Sequence, residues 1–523
     1  ATVGSIKLGR LTGLPLNILE VRHGTLTVSD SLAVDGRGVF TLGGGYGEGQ
    51  ASTVGGIIVN YGLLLFKDSS YSDIQVENYG EFSFFCGDTK VDGLITSYEG
   101  SFTNFLSSYP GGVQLSGGLI NHGIASFESN NDTLQVTVSV AFENHGSLTF
   151  GFAYGSYGEV FITGGSAVLT NYGSLLTGNN PRLETIDNHN LIIFGGNPEF
   201  SYLTNRPGGK VTAGAVTLNI TNDLHNGGLI ELEGTTLTST TGSFYNYGTL
   251  SLAKGTDDSP CTLAVNFQTD IGTLHCVDDA VIGRDLAVHG NYRECEFTVD
   301  SGAVLTFVGD SLVNNGNLIG TGLIDVTGLE FVNNGTISPN DSTHLFTVEG
   351  DLDLANSGVI EISVSGPVAL ADHDQLFITG ELDLSGSSPG LSLVYPSPFV
   401  PSLADTFTVV QYASLSGDFG RYGGCTPGDI HLESVAEPTY YQMFGITGCC
   451  AGSAGNISDD DWDSVDISDL TALVNHLFVT YEILDCPKEA NTTGDAGGNI
   501  DISDLTKLVN HLFVTFESLA SCQ

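Results

Sequence analysis

The sequence predicts a mainly β chain: a parallel β-helix, or β-solenoid, with a β-rich cap and a small α-helical C-terminal domain. Three observations predict it. An Asn-x-Gly phrase flanked by alternating apolar residues recurs from about residue 55 to 360. Its spacing is close to the length of one solenoid coil. Helical periodicity is nearly absent before residue 460, after which one amphipathic helical pattern occurs twice.

The repeated phrase places Asn, a variable residue and Gly before an alternating apolar strand, as in VNYGLLLF and FENHGSLTF. Ten copies are centred on Asn60, Asn78, Asn121, Asn144, Asn171, Asn188, Asn226, Asn246, Asn314 and Asn333. Several neighbouring copies lie 17 to 20 residues apart, and longer gaps such as that from Asn78 to Asn121 fit two coils with one drifted copy. We expect Asn and Gly to form corners because both tolerate the left-handed backbone region.

Stacked corners are expected to place each Asn over the next, so that the side-chain amides hydrogen-bond in a ladder. The residue between Asn and Gly is Tyr or His in six copies: Tyr61, Tyr79, His122, His145, Tyr172 and His189. A position that accepts either ring is typical of stacking rather than of metal binding.

The repeats predict a β-solenoid over residues 1–335. Residues 336–448 change pattern and predict a β-rich continuation and cap, which protects strand edges that otherwise promote aggregation. Residues 449–523 predict a separate helical module.

The chain is strongly acidic. Its 15 Lys and Arg residues against 60 Asp and Glu give a formal net charge of −45. Such a surface repels nucleic-acid phosphates and anionic membranes, so neither is expected as a partner. It attracts divalent cations, and calcium is abundant outside cells, which favours an extracellular protein. The alternative is that the charge only keeps a large apolar chain in solution.

The cysteines and the chain start also favour secretion. Nine cysteines occur without a C-x-x-C pair, so zinc or redox thiolate chemistry is not expected. The odd number leaves at least one thiol unpaired or joined to another molecule in an oxidising compartment. The chain begins with Ala1, as expected after removal of a signal peptide. No run of about 18 apolar residues is present, so no membrane span is predicted.

A direct duplication ends the chain. The segments VDISDLTALVNHLFVTYE and IDISDLTKLVNHLFVTFE align with an offset of 35 residues. Each copy predicts a helix with one apolar face, formed by Leu470, Leu473, Val474, Leu477 and Phe478 and by Leu505, Leu508, Val509, Leu512 and Phe513. We expect these faces to pack on each other. Ser468 and Ser503 lie at the predicted helix starts, where Ser and Asp favour capping.

Each predicted helix follows an oxygen-rich loop, and this pairing resembles the dockerin family, whose duplicated EF-hand-like units bind calcium and anchor secreted proteins to a module called cohesin. The resemblance implies two Ca²⁺ sites, formed by Asn456, Ser458, Asp460, Asp466 and Asp469 and by Asn491, Thr493, Asp495, Asp501 and Asp504. Hard oxygen ligands are what calcium requires. Each loop is two residues longer than an EF-hand loop, and Asp461 and Ala496 replace the turn Gly. The alternative is two Asp-rich turns that only cap helices.

Residues 336 to about 420, with phrases such as DHDQLFITGELDLSG, resemble the C-terminal passenger segments of autotransporter-type bacterial surface proteins. This resemblance implies an exported β-solenoid and no particular activity.

Together these patterns predict a secreted bacterial structural protein that assembles head to tail into extracellular filaments or surface layers. The calcium-stabilised module is expected to dock a neighbouring subunit or a cohesin-like partner. An enzyme is not expected, because the repeats lack clustered Lys or Arg, and Asp257–Asp258 and Asp278–Asp279 do not face one sugar. The alternatives are a carbohydrate-binding adhesin and a polysaccharide lyase or glycoside hydrolase of the β-helix class.

Overall fold

A computed structural model gives the fold of the chain. It describes every residue except those at positions 1, 9–16, 22–23, 26, 37, 43–50, 53–55, 68–69, 72–73, 87–88, 108–110, 130–133, 141, 152–159, 164–167, 179–180, 270, 284–285, 289–295, 340–343, 355–356, 396–398, 400, 403–404, 424–429, 448–453, 459–464, 482–483, 485, 496–498 and 521–523. The chain divides into two compact units, residues 1–274 with 279–284 and residues 275–278 with 285–523. Both contain parallel β-solenoid coils, so the predicted fold class is confirmed.

Unit 1, residues 1–274 with 279–284, is built from short strands in two parallel sheets. The first sheet comprises Thr2–Leu8, Gly24–Thr25, Thr27–Val34, Ala51–Ser52, Gly56–Asn60, Ser70–Tyr71, Ile74–Asn78, Thr89–Val91, Ile95–Ser97, Gly111–Leu115, Leu119–Asn121, Leu134–Val138, Phe142–Asn144, Val160–Thr163, Leu169–Asn171, Arg182–Asn188, Glu199–Asn205, Thr217–Ile220, Leu224–Asn226, Thr236–Asn246, Cys261–Thr269 and Ala280–Ile282. The second comprises Asn17–Val21, Gly38–Leu42, Leu63–Lys67, Glu81–Cys86, Phe102–Ser107, Ile124–Ser129, Ser147–Phe150, Ser174–Thr177, Leu191–Phe194, Lys210–Gly214, Leu229–Glu233 and Thr249–Ala253. The strand Thr273–Cys276 lies at the boundary of the two units.

A single coil shows how the chain winds. Leu119–Asn121 ends at an Asn corner, Ile124–Ser129 follows the corner, and Leu134–Val138 completes the coil. Each strand pairs in parallel with its counterpart in the next coil: Phe142–Asn144, Ser147–Phe150 and Val160–Thr163, respectively. The coils therefore stack in register, as the repeat spacing predicts.

The core of unit 1 follows from the alternation of apolar residues along these strands. Phe84, Phe105, Phe127 and Phe150 are register partners in four successive coils, and all four are fully buried. Neighbouring rings in this column lie 4.5, 4.3 and 5.3 Å apart between centroids. One apolar position repeated in every coil thus fills the interior with a continuous column.

The predicted asparagine ladder is confirmed. Nδ2 of each corner Asn donates to Oδ1 of the Asn one coil further on, at 2.6 to 2.8 Å. The ladder joins Asn60 to Asn78, runs without interruption from Asn121 to Asn246, and joins Asn314 to Asn333 in the second unit. These side chains are 0 to 1% exposed, so the ladder supplies hydrogen bonds that water cannot.

The reason for the corner glycines differs from the expected one. The left-handed residues among those described do not include the corner Asn residues, nor corner glycines such as Gly146 and Gly173. A Cβ on Gly146 would lie 2.1 Å from the carbonyl oxygen of Gly123, and one on Gly173 would lie 2.0 Å from that of Gly146. Gly is required because adjacent corners approach too closely for any side chain, not because of a positive φ.

The ladder is interrupted where Ser97 replaces Asn. Ser97 occupies the corner between Asn78 and Asn121, as expected for the drifted copy in that gap. Its hydroxyl hydrogen-bonds to Thr103, which also accepts from Nδ2 of Asn78. Within the described part of the chain, Oδ1 of Asn121 has no hydrogen-bond partner. A shorter side chain at one corner therefore leaves a buried acceptor without a donor in the next coil.

Unit 2, residues 275–278 with 285–523, continues the same winding. Its described solenoid strands are Leu286–Val288, Glu296–Val299, Val304–Phe307, Ser311–Asn314, Asn317–Gly320, Leu323–Asp325, Glu330–Asn333, Thr336–Ser338, Leu345–Glu349, Leu352–Asp353, Val359–Ser363, Gln375–Ile378, Glu381–Leu384, Gly390–Val394, Thr406–Gln411, Ser414–Gly417 and Arg421–Gly423. An antiparallel hairpin of Ile430–Glu437 and Tyr440–Thr447 pairs with Thr406–Gln411. Tyr441 in this hairpin is buried and donates to Asp418.

The helical segment of unit 2 contains Ile467–Val474, Pro487–Ala490 and Ile502–Val509, with π-helical turns at Asn475–Val479 and Asn510–Val514. Its core contains Ile457, Leu473, Ala490 and Leu508, so the two helices share one apolar core as predicted. Phe478 and Phe513, expected in that core, are instead 52% and 56% exposed. The wider π turn shifts the phase of the helix and turns both residues outward. None of the described helices is both long and apolar enough to cross a membrane.

The ladder makes a measurable contribution to stability. Asn171→Ala removes bonds to Asn188 and Leu191 and leaves Nδ2 of Asn144 without its acceptor. We expect it to lower the free energy of unfolding by about 1–3 kcal/mol, the cost of unsatisfied buried polar groups. Thr170→Ala on the outward side of the same strand is the control and should change it by less than about 0.5 kcal/mol. Urea denaturation followed by circular dichroism checks this, and equal losses would contradict the ladder's role.

Candidate functional site

The two predicted calcium loops lead into helices with identical caps. Asp466 and Asp501 are the N-cap residues, and each side chain accepts the backbone N–H of the Ser two residues later. Asp469 and Asp504 lie at the third helical position and accept the N-cap backbone N–H. Both helix starts are therefore complete capping boxes, and the predicted Ser468 and Ser503 act as donors to the capping Asp.

In the first loop the structure brings Ser458, Asp466 and Asp469 together. The carboxylate of Asp469 is fully buried, and its Oδ1 accepts both the backbone N–H and the hydroxyl of Ser458, at 2.8 and 2.9 Å. Its Oδ2 accepts the N–H of Asp466 at 2.7 Å. Asn456 is buried just before this loop. Asp460, the fifth predicted ligand, lies outside the described residues.

The second loop repeats this arrangement. Oδ1 of Asp504 accepts the N–H and the hydroxyl of Thr493, at 3.0 and 2.9 Å, and Oδ2 accepts the N–H of Asp501 at 3.0 Å. Asn491 bridges the loop: its Oδ1 accepts the N–H of Asp495 at 3.1 Å, and its Nδ2 donates to the Asp495 carbonyl at 3.0 Å. The side chain of Asp495 itself is exposed.

The donor chemistry of these loops fits a hard cation. Side-chain oxygens of Asn491, Thr493 and Asp504 lie within 3.3 Å of one another in sequence, as pairs 491–493 and 493–504. Oxygen ligands of this kind are those that Ca²⁺ takes. Across the described residues, no group of three or more His, Cys, Asp or Glu side chains has the arrangement of a metal site. Here the carboxylates are satisfied by N–H and O–H donors, which a bound cation would partly replace.

Cysteines also contribute to this segment. Cys486, directly before Pro487–Ala490, is in a disulfide bond. The other cysteines predicted to staple the module lie outside the described residues. In unit 1, Cys261 is a free thiol that donates to the Thr235 carbonyl, and burial raises its pKa to about 12. Such a thiol is unreactive at neutral pH.

An acidic groove in unit 2 was not predicted from the sequence. Asp353 and Asp383 are register partners on adjacent parallel strands. They line a groove of about 210 Å³ that also includes Glu330, Asp351 and Glu381. The pKa of Asp353 is raised, first by burial and then by the charges of Asp383 and Glu330. The signal was present in the successive segments DLD and ELD, whose 30-residue separation hides that they are adjacent in space.

The rings predicted to stack at the corners of unit 1 do so. Their centroids lie 4.9 Å apart for Tyr61–Tyr79, 4.1 Å for Tyr79–Tyr98 and 4.7 Å for His122–His145. Tyr172 lies between His145 and His189, at 4.8 and 4.6 Å. Because the faces of these rings cover one another, mainly ring edges remain for solvent. A sugar that stacks on an aromatic face has little platform here, which weighs against the adhesin alternative.

Comparison with known proteins gives no family assignment. No protein-family model matches the chain, and a search of curated proteins finds no match.

The helix caps should respond to acid. The pKa of Asp466 is lowered from 3.8, mainly by the hydroxyl and then by the N–H of Ser468, and the pKa of Asp501 is lowered mainly by the N–H of Ser503. Because the folded-state pKa lies below the unfolded value, the capping stabilisation is complete above about pH 4 and is lost as pH falls through the folded pKa.

Hydrogen exchange measured by mass spectrometry on peptides covering Ile502–Val509 checks this expectation. Protection, corrected for the intrinsic pH dependence of exchange, should fall below about pH 4. Asp501→Ser keeps an N-cap acceptor that does not titrate in this range, so its peptide should lose less protection. The same loss in both proteins would show that the cap is not the titrating group.

Proposed function

We propose that the chain is a secreted, non-enzymatic structural protein that assembles through its solenoid coils and carries a calcium-stabilised, dockerin-like docking module. The observation that carries this proposal is the matched pair of loops, in which Ser458 and Asp469 repeat the contacts of Thr493 and Asp504. Duplicated loops that each present a buried carboxylate at a helix start are typical of paired calcium-binding units.

The charge of the module supports a bound cation. Residues 451–523 contain ten Asp and three Glu against two Lys, a net charge of −11. Self-repulsion at this density opposes a compact fold unless cations neutralise part of it. When bound, Ca²⁺ would supply that neutralisation. Asn456, Ser458, Asp460, Asp466 and Asp469 would hold the first ion, and Asn491, Thr493, Asp495, Asp501 and Asp504 the second.

The helix ends support docking. Each copy presents a cluster of exposed apolar residues, Phe478, Val479 and Tyr481 in the first and Phe513, Val514 and Phe516 in the second. Tyr481 and Phe516 are 72% and 73% exposed and have φ values of 54° and 55°, in the left-handed region that non-Gly residues rarely adopt. Exposed apolar side chains in a strained backbone are typical of binding surfaces. The partner is a neighbouring subunit or a cohesin-like module.

The solenoid edges support head-to-tail assembly. Among the described residues, Thr2–Leu8 pairs only with Thr27–Val34, and Ser414–Gly417 only with Glu381–Leu384. Open backbone groups at such edges favour pairing with another chain. A contact between unlike ends does not close, so it generates a filament.

Calcium titration by calorimetry, followed by negative-stain electron microscopy of the same samples, tests the proposal. We expect two ions per chain, one in Asp504→Asn, and none when Asp469→Asn is added. Glu99→Gln, at an exposed turn in unit 1, is the control and should still bind two. We expect filaments or layers in calcium that dissociate in chelator. Absence of binding would refute the calcium sites, and single particles under both conditions would refute assembly.

The acidic groove favours a second candidate, glycoside hydrolysis. Adjacent strands lie about 4.8 Å apart, close to the roughly 5–5.5 Å between the two carboxyl groups of retaining glycosidases. Asp353, whose pKa is raised, would act as the acid and Asp383 as the nucleophile.

Release of reducing ends from a panel of polysaccharides tests this candidate. If hydrolysis occurs in the groove, Asp353→Asn should reduce it by at least about 100-fold, since a general acid contributes roughly 10²–10⁴. Asp325→Asn, an outward carboxylate in the same unit, should leave the rate unchanged. No release, or release that survives Asp353→Asn, would exclude the groove as the active site.

A further inference from the structure

Three tyrosines occupy the same corner position in three successive coils of unit 1. The centroids of Tyr61 and Tyr79 lie 4.9 Å apart with ring planes 14° from parallel. Tyr79 and Tyr98 are closer, at 4.1 Å and 4°. Elsewhere in the described ring column each Tyr is stacked on His, as Tyr172 is on His145 and His189. This trio therefore places phenol directly over phenol.

The backbone fixes this arrangement. Asn78, which precedes Tyr79, is the register partner of both Asn60 and Ser97, which precede Tyr61 and Tyr98. The N–H of Tyr79 donates to the Asn60 carbonyl at 2.7 Å, and that of Tyr98 donates to the Asn78 carbonyl at 2.9 Å. The side chains therefore need no large backbone movement to react with each other.

The rings are also accessible. Tyr61 is 53% exposed and Tyr79 is 37% exposed, so small oxidants reach both. The pKa of Tyr79 is raised to about 12, first by its hydrogen bond with Tyr98. The two hydroxyl groups thus lie at the same end of the stacked pair, which brings the carbons beside each hydroxyl close together.

From this geometry we infer that Tyr79 and Tyr98 form a dityrosine cross-link between adjacent coils when a peroxidase and hydrogen peroxide supply the oxidation. Each phenol loses one electron and one proton to give a phenoxyl radical. The two radicals couple through the carbons beside their oxygens, and each ring returns that carbon's hydrogen to its oxygen. Two C–H bonds are replaced by one C–C bond, and the peroxide is reduced to two waters.

Proximity decides which tyrosines couple. Reacting groups held in contact have effective concentrations far above those of groups on separate molecules, up to about 10⁵ M or more. The pair Tyr79–Tyr98 is favoured over Tyr61–Tyr79 because its rings are closer and more nearly parallel. The product covalently joins two coils of an extracellular protein, and the inference does not depend on calcium binding by the module.

The test treats dilute full-length protein with a haem peroxidase and hydrogen peroxide. Dityrosine fluorescence should rise in the monomer fraction. Cleavage after Lys90 separates the two tyrosines, so mass spectrometry should find Tyr79 and Tyr98 in one cross-linked peptide pair. The oxidised protein should also unfold at a higher urea concentration than the untreated one, because the link shortens the free loop of the unfolded chain.

Matched variants make the result decisive. Tyr79→Phe keeps a ring in the stack but cannot form a phenoxyl radical, so most of the monomer fluorescence should be lost. Tyr98→Phe should have the same effect, and Tyr172→Phe should have none. Circular dichroism verifies that each variant is folded. Dityrosine found only between molecules, or a monomer signal unchanged in Tyr79→Phe and Tyr98→Phe, would overturn the inference.

Discussion

The buried hydrogen bond between consecutive corner asparagines is the interaction on which the solenoid depends. A corner must turn the chain inside a dry interior, and a buried amide without partners costs about 1–3 kcal/mol. In the run from Asn121 to Asn246 each Nδ2 finds its acceptor in the next coil at 2.7 to 2.8 Å. Because only an in-register neighbour can supply that acceptor, the ladder fixes where each coil lies on the previous one.

Other features of unit 1 follow from this constraint. Corners held so close exclude a Cβ, which explains the Gly two positions after the Asn. The residue between them lies above its equivalent in the next coil, so Tyr and His rings stack in a column. The strand after each corner starts at a fixed point, which aligns the buried Phe column of Phe84, Phe105, Phe127 and Phe150.

Much of this was readable in the sequence, because local spacing encodes it. The Asn positions, the stacking position and the drifted copy at Ser97 were all predicted from intervals. Asn205 was missed as a rung because Arg-Pro-Gly-Gly replaces the usual phrase after it, although its side chain completes the ladder. The acidic groove was missed for a different reason. Asp353 and Asp383 meet through coil stacking, and the coil between them contains the excursion before Asp374, which lengthens the interval to 30 residues.

The helical segment uses its carboxylates in two ways. Asp469 and Asp504 close capping boxes, and the same oxygens face the loop side chains that the dockerin resemblance assigns to calcium. Sequence periodicity predicted the shared core of Leu473 and Leu508 but placed Phe478 and Phe513 inside it. A regular 3.6-residue period cannot anticipate a π turn, which widens the helix after Val474 and Val509 and exposes both rings.

The stacking register can be tested by disulfide trapping. Ile193 and Thr212 face outward as register partners on adjacent coils, within the range of Cα separations that a disulfide spans. Cys at both positions should give the linked peptide rapidly on mild oxidation. Cys at Ile193 and Lys210 is two residues out of register, about 8 Å apart, and should not link. Equal linkage of both pairs, or linkage of the second alone, would contradict the in-register stack.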